Sequence, residues 1–256
     1  MRIIEPNAVE IKQTDLFGHI ELCGKTCYKS QNTIGEGTAK KFIKMIMKNK
    51  HGSVLEHGTV YMTVSYNDKK KPTNLNKLLA NQYTKVKFED KMYITTNYRV
   101  IVENDFFNLM ERYRSEPTEK HEKRRTFKLT CNRGVSHEFV RHRNMSFSQE
   151  SQRYVNYTKD KYGKEIKFIK PLYFKEKTLR YRLWKFGVWF SEKMYMWLIK
   201  EGATAQEARE VLVNSTATEL VMTGFESDWQ SFFSLRCDKT AHPQAIELAN
   251  KIKEIF

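Results

Sequence analysis

Glycine and proline are scarce in this chain of 256 residues, which has 11 and 5 of them, and neither gathers into a linker. There is no internal repeat and no low-complexity tract, so two flexibly joined halves are excluded and a single unit spanning 1–256, large enough to bury a substantial core, is expected. Only four cysteines occur, Cys23, Cys27, Cys131 and Cys237. Their spacing spells neither a disulfide framework nor a four-ligand zinc site, so reduced thiols and no bound metal are expected. No stretch approaches about 18 uninterrupted apolar residues. The opening residues also lack the basic, apolar and small-residue succession of a secretory signal, so a soluble protein of the cytoplasm without a membrane partner is expected. Gly-x-Gly-x-x-Gly and Gly-rich Lys-Ser/Thr loops are missing too, so any phosphate must be gripped by side chains.

What the chain has in excess is positive charge. Lys+Arg outnumber Asp+Glu by 45 to 30, a formal charge of +15, and such a field concentrates phosphate-bearing molecules at the surface. Charge alone leaves a nucleotide substrate and a nucleic acid as equal candidates.

Local pattern supplies the organisation. Within residues 36–48, Ala39, Phe42, Ile43, Ile46 and Met47 recur at helical spacing opposite a lysine face, which predicts an amphipathic helix ending near His51-Gly52. Residues 59–66 alternate polar and apolar and predict a strand with Val60, Met62 and Val64 on one face, stopped by Lys69 to Lys71 and Pro72. A second strand is expected where Phe127, Leu129 and Cys131 alternate with polar residues. Asn132-Arg133-Gly134 then turns the chain into a helix from Val135. Residues 178–200 predict a long core-facing helix, with Trp184, Val188, Ser191, Tyr195 and Leu198 as its packing stripe. Thr204 and Glu207 form a capping box ahead of Ala208, Val211 and Leu212, and further helices are expected over 228–235 and 243–255. Few strands and several helices make an α+β domain.

Residues 140–154 carry the chemistry. Arg141, His142, Arg143, Ser146, Ser148, Gln149, Glu150, Ser151, Gln152 and Arg153 crowd a segment with few core-forming side chains. Guanidinium groups match phosphate oxygens in bidentate fashion, while hydroxyls and amides discriminate the edges of a base. The segment suits one or two nucleotides, against the plainer reading of a solvated basic loop.

Arg-His-Arg, seven residues and then Ser, here Arg141 to Ser151 without a gap, resembles the signature of the flavin-dependent thymidylate synthases. His51-Gly52-Ser53-Val54-Leu55-Glu56-His57 before a strand is similar to that family's His-x-Ser/Thr-x-x-Glu-His stretch. Residues 212–218, Thr223-Gly224, Trp229, Leu235-Arg236 and Ala241-His242-Pro243-Gln244 resemble its closing helices. The likeness is close over 36–66 and 130–160 and looser over 203–256, whereas 67–125 reads as an ordered, family-variable insertion, a hairpin or helical excursion.

The resemblance implies a small antiparallel sheet packed with several helices, and reductive methylation of dUMP to dTMP. Methylenetetrahydrofolate would be the carbon donor and FAD, reduced by NADPH, the hydride carrier, in a homotetramer whose sites are shared between subunits. It implies flavin contacts at Ser53, Arg141, His142, Arg143, Gln149 and Ser231. It assigns dUMP to Glu138, Arg141, Gln149, Glu150, Ser151, Gln152, Arg153 and Arg236, with Arg236 as the catalytic cation that favours the anionic uracil ring. Ser151 invites a nucleophile reading, but no positioned base accompanies it, so substrate contact is expected. Cys237 suggests the thiol of the classical synthases, yet its surroundings do not resemble that family.

The chain departs from many members at Glu219, Phe225 and Ser227, where arginine or asparagine is common, and at Val213, where proline is. Two rival readings stay open at this point. One is a nucleic-acid-binding protein without enzymatic activity, suggested by the charge and by basic residues interleaved with aromatics, as in Lys159-Asp160-Lys161-Tyr162. The other is a dUMP-binding protein that no longer turns over.

Overall fold

The chain opens with two short strands, β1 (Arg2–Ile4) and β2 (Asn7–Glu10), followed by helices α1 (Leu16–Lys25), α2 (Thr38–Lys48) and α3 (Gly52–Leu55). The computed structural model describes residues 1–256 except for the side chain of Lys161, so that part of the interleaved basic stretch lies outside the described residues. Asp15 starts α1 by accepting a hydrogen bond from the Gly18 amide, one of the four amides a helix N-terminus leaves unpaired. Helix α2 buries Phe42, Ile43 and Ile46, as its periodicity predicts, while Met47 stays exposed.

Strand β3 (Thr59–Val64) follows, then α4 (Leu75–Leu79), the hairpin strands β4 (Lys85–Phe88) and β5 (Met92–Asn97), α5 (Tyr98–Glu103) and α6 (Phe107–Tyr113). These strands form an antiparallel sheet in the order β3-β5-β4. Met62 pairs with Ile94 and Val64 with Met92, and all six residues of β5 are buried. A hairpin and three helices therefore occupy most of 67–125, and they are built into the sheet rather than appended to it. The first core collects Ile20, Ile46, Met62, Ile94, Ile101 and Leu109 from α1, α2, β3, β5, α5 and α6.

The second half runs β6 (Arg124–Asn132), α7 (Arg133–Phe139), β7 (Ser146–Gln149), β8 (Lys167–Ile169), α8 (Leu179–Lys200), α9 (Ala205–Ala208), β9 (Ala217–Phe225), α10 (Glu226–Arg236) and α11 (Pro243–Ile255). Four strands make an antiparallel sheet in the order β2-β6-β9-β7, and β1 pairs in parallel with β8. The α+β class holds, with three small sheets in place of one. On the four-stranded sheet, Phe127, Leu129, Leu220 and Met222 pack against Trp229 and Phe232 of α10 and Leu248 and Ile252 of α11. The rings of Phe127 and Trp229 meet edge to face at 4.9 Å, and the Trp229 indole N–H donates to the Arg125 carbonyl at 3.1 Å.

Two local expectations need correction, and the plainer reading of the basic segment is set aside. Residues 217–225 fall in the stretch assigned to closing helices but form a nine-residue strand. Pairing with β6 on one side and β7 on the other puts β9 inside the sheet, and Leu220 to Phe225 are buried without a break, which erases the period-two signal that marks a half-exposed strand. The capping box at Thr204 and Glu207 forms, but α9 ends after one turn and a 3₁₀ turn, Arg209–Val211, takes over. The basic motif is not a solvated loop in its middle, because Ser146 to Gln149 pair with β9 and Ser146 and Ser148 are buried.

Helix α8 is capped by Thr178 and turns Val188, Ser191 and Tyr195 inward, with Trp184 and Leu198 half-buried, matching the predicted stripe. Its other face leaves Leu179, Leu183, Phe186, Trp189, Phe190 and Trp197 exposed. Among the described residues no helix is long and apolar enough to cross a membrane.

Candidate active site

Asn132 caps α7 by accepting from the Val135 amide at 2.7 Å, which fixes where this short helix begins and so where it ends. Glu138 sits in its last turn, and the chain then passes through Arg141, His142 and Arg143 into β7. Across from that turn lies the last turn of α10, which carries Arg236. The Arg236 guanidinium donates through Nε to His142 Nε2 at 2.9 Å, through Nη1 to Glu138 Oε2 at 2.7 Å and through Nη2 to the Glu138 carbonyl at 2.6 Å. The His142 ring leans edge-on against Phe232 at 5.0 Å. Because its Nε2 accepts, His142 is neutral with its proton on Nδ1. Burial, and then the Arg236 charge, push its pKa down to about 4. Three residues predicted for the site, Glu138, His142 and Arg236, thus form one bonded cluster.

Arg141 and Arg143 flank that cluster, exposed and without an ion-pair partner among the described residues. Ser231, on the same helix as Arg236, is exposed and spends its hydroxyl on the Ser227 carbonyl at 3.2 Å.

A second group gathers at the end of β7. Gln149 donates to Ser136 Oγ at 2.9 Å and to Thr218 Oγ1 at 3.3 Å. Glu150 is 3% exposed, and its carboxylate accepts from the Tyr157 hydroxyl at 2.9 Å and faces Lys29 Nζ at 3.3 Å. Burial, followed by this carboxylate, holds the Tyr157 phenol well above its usual range. The Ser151 amide donates to the Cys27 carbonyl at 2.9 Å. Gln152 Nε2 is buried without a hydrogen-bond partner, while Arg153 is exposed over the Tyr154 ring at 5.6 Å.

Ser53, on α3, lines a cavity of about 430 Å³ together with Cys27, Tyr28, Lys50, His51 and Arg99. Cys27 therefore joins the Ser53 cavity to Ser151. Among the described residues, no hydrogen bond or ion pair joins the Arg236 cluster to Ser53 or to Ser151 to Arg153. Nor is any group of three His, Cys, Asp or Glu side chains placed to hold a metal ion.

The departures have partners of their own. Glu219 pairs with Lys128 at 3.2 Å and accepts from Gln31 at 3.3 Å. Phe225 is buried under Lys85, whose Nζ lies 4.4 Å from the ring centre, and Lys85 also donates to Ser227 Oγ. A cation from the 67–125 segment thus rests against both positions. Sequence reasoning missed Lys85, Cys27, Lys29 and Tyr157. Each arrives from a distant segment with no local signature, and only the tertiary fold brings it to the site.

A model of the family described as Thymidylate synthase complementing protein matches residues 11–68 and 108–256, and the chain belongs to that family. The match omits 69–107, the stretch that supplies β4 and β5. A flavin-dependent thymidylate synthase of Pyrococcus abyssi is 31% identical over 124 residues, 48% of this chain and 50% of that one. That of Pyrococcus furiosus is 29% identical over 163 residues, 62% of this chain and 66% of that one. A probable flavin-dependent thymidylate synthase of Paramecium bursaria Chlorella virus 1 is 27% identical over 141 residues, covering 51% and 65%. The chain thus spans about half to two thirds of the length of these relatives. Among solved structures, a UMP/dUMP methylase from Streptomyces cacaoi bound with 5-Br dUMP is similar at a TM-score of 0.48 and 17% identity, covering 100% of this chain and 91% of that one. A likeness at that level carries no argument.

Proposed function

We propose that this chain methylates dUMP reductively to dTMP, with methylenetetrahydrofolate as carbon donor and FAD, reduced by NADPH, as the hydride source. The observation that carries the reading is the pair of unpaired guanidinium groups, Arg141 and Arg143, held beside a bonded Glu138–His142–Arg236 cluster in a chain of this family. Exposed cations without carboxylate partners suit the diphosphate of a flavin dinucleotide and the phosphate of dUMP. The unpartnered Gln152 amide suits the same view, since a buried donor without an acceptor is costly unless a ligand supplies one.

When bound, the flavin supplies the hydride, which makes a protein nucleophile unnecessary. The chain's own residues bind and orient. Arg141, His142, Arg143, Ser53, Gln149 and Ser231 would hold the flavin. Glu138, Arg141, Gln149, Glu150, Ser151, Gln152, Arg153 and Arg236 would hold dUMP. Of these, Glu150 acts by positioning, because its carboxylate is already engaged by Tyr157 and Lys29. Arg236 stabilises negative charge on the uracil ring without giving up a proton. His142 and Glu138 preset its guanidinium plane, and neutral His142 adds no competing positive charge. Lys85 takes the place of the cation that many members carry beside the strand end. Residues 67–125 we read as a family-variable insertion that supplies it, and the cytoplasm as the working compartment.

The purified protein is expected to be yellow, to be bleached by NADPH and to form dTMP from dUMP and the folate. Arg141→Ala with Arg143→Ala should lose at least tenfold in flavin and dUMP affinity, about the strength of one charge-assisted contact or more. A colourless protein that makes no dTMP would sink the reading. Tight dUMP binding without turnover would point to an inactive binder, and steeply salt-dependent binding of single-stranded DNA to a nucleic-acid protein.

We also propose a homotetramer whose subunits complete one another's sites. The outward apolar face of α8 supports this, because Leu179, Leu183, Phe186, Phe190 and Trp197 recur every three or four residues, or seven, along one exposed side. Phe186→Lys should shift the molecular mass measured by light scattering toward smaller species and weaken flavin binding with it. An unchanged assembly would argue against α8 as the contact.

A further inference from the structure

The Ser53 cavity has a wall that the family match does not include. Arg99 lines it, and Arg99 belongs to the unmatched stretch 69–107, in the first turn of α5. Gly52 prepares its seat. A Cβ at that position would stand 3.0 Å from Arg99 Nε and 3.4 Å from its Cζ, tighter than side chains ordinarily pack. The glycine in the His-x-Ser stretch thus leaves room for the guanidinium to lie against the backbone next to Ser53.

Two carboxylates fix that guanidinium. Nη1 donates to Glu56 Oε1 at 2.6 Å, and Nε donates to Glu103 Oε1 at 2.8 Å, one turn further along α5. Glu56 lies in the matched part of the chain and Glu103 in the unmatched part, so Arg99 also ties the two together. Its Nη2 is left without an acceptor among the described residues. Held at two of its three nitrogens, the planar group presents the third in a fixed direction, which lowers the ordering cost of binding.

The lining suits an anion. Arg99 and Lys50 bring two positive charges, His51, Ser53 and Tyr28 add polar groups that can donate, and none of the lining residues is an aspartate or glutamate. Lys50 and Ser53 are exposed, and neither side chain has a hydrogen-bond or ion-pair partner among the described residues. The larger cavity near His19, about 710 Å³, mixes Glu10, Asp15 and Glu226 with its cations and shows no such bias. At about 430 Å³ the Ser53 cavity is within the size range of small-ligand pockets.

We propose that Arg99 and Lys50 bind the diphosphate of the flavin dinucleotide in this cavity, so that a segment outside the family match supplies part of the flavin site. This rests on the reading of Ser53 as a flavin contact, and it adds cations that the resemblance does not assign. Two separate positive charges match two adjacent phosphates, and a guanidinium offers them directed donors. Sharing of sites between subunits lets Arg141 and Arg143 serve the same ligand from a neighbouring chain.

Fluorescence titration of the whole protein with FAD and with riboflavin, which lacks the diphosphate, tests this. Arg99→Gln should raise the dissociation constant for FAD by about tenfold or more, the strength of one charge-assisted contact, and change that for riboflavin by less than about twofold. Lys50→Gln, at a side chain with no partner to lose, should raise the FAD constant by about threefold or more, again sparing riboflavin. Unchanged FAD binding in Lys50→Gln overturns the proposal even if Arg99→Gln does not fold. So does unchanged FAD binding in a folded Arg99→Gln chain, equal weakening toward both flavins, or a loss confined to dUMP. In each of these cases the parent chain still binds FAD and the thymidylate reading stands. A parent chain that binds no flavin sinks that reading, and the Arg99 contact with it.

Discussion

Arg236→Ala is expected to lower kcat/KM for dTMP formation by about 100- to 1000-fold, the usual cost of removing one fixed donor aimed at developing negative charge. Arg236 is tied at three points, to His142 Nε2, Glu138 Oε2 and the Glu138 carbonyl, so its guanidinium reaches a ligand already oriented and little reorganisation accompanies the reaction. Arg236→Lys keeps the charge but loses the planar fork, and should recover only a minor part. The folded state should change little. Glu138, whose side chain is 32% exposed, rehydrates when its partner is removed, at a cost of about 1 kcal/mol or less. Rates measured beside thermal midpoints separate the two effects. Activity within twofold of the parent chain would remove Arg236 from the mechanism.

Acid should unfold the protein early, and the buried histidines set the window. His19 is held at about 4 by burial first and Arg124 second, against an opposing pull from Asp15. His57 is held at about 3 by burial first, then by His19 and Arg124, with the Phe147 backbone bond opposing. Both folded values lie below the unfolded one of about 6.5. Above that pH neither histidine is charged in either state, and neither affects stability. As pH falls below it, the unfolded chain binds protons that the folded chain refuses, so stability declines down to about 4 for His19 and about 3 for His57, and stays reduced below. At about 1.4 kcal/mol per pH unit the loss is a few kcal/mol for each, a large share of a typical 5–15 kcal/mol total. Urea midpoints at pH 7, 5 and 4 should fall in that order, and His57→Gln should flatten the decline. A midpoint constant from pH 6.5 to 4 would contradict the assignment.

What the sequence disclosed follows from where information is local. The stripe of α2, the alternation of β3, the turn at Asn132 and the inward face of α8 are legible because each is half-exposed and so shows its period. Strand β9 hid for the opposite reason, being enclosed by strands on both edges with its second half buried. The Arg141 to Arg153 run was visible as chemistry, and Glu138, His142 and Arg236 were named from it and its resemblance. Glu150 reads as one more polar residue of that run until its burial against Tyr157 and Lys29 is seen. The buried contacts of His19 with Thr126 and of His57 with Thr223 were illegible, since both threonines are ordinary strand residues until the register of β6 and β9 sets them opposite each other.

Strand β5 lies wholly within the stretch that the family model leaves unmatched, yet it is the middle strand of its sheet. Trimming the chain to the family's matched segments would strip β3 of its neighbour and open a row of unpaired amides and carbonyls beside Val60, Met62 and Val64. A bare edge of that kind recruits other chains. In this protein the segment outside the family match therefore also covers that edge, and its removal is expected to promote self-templated aggregation.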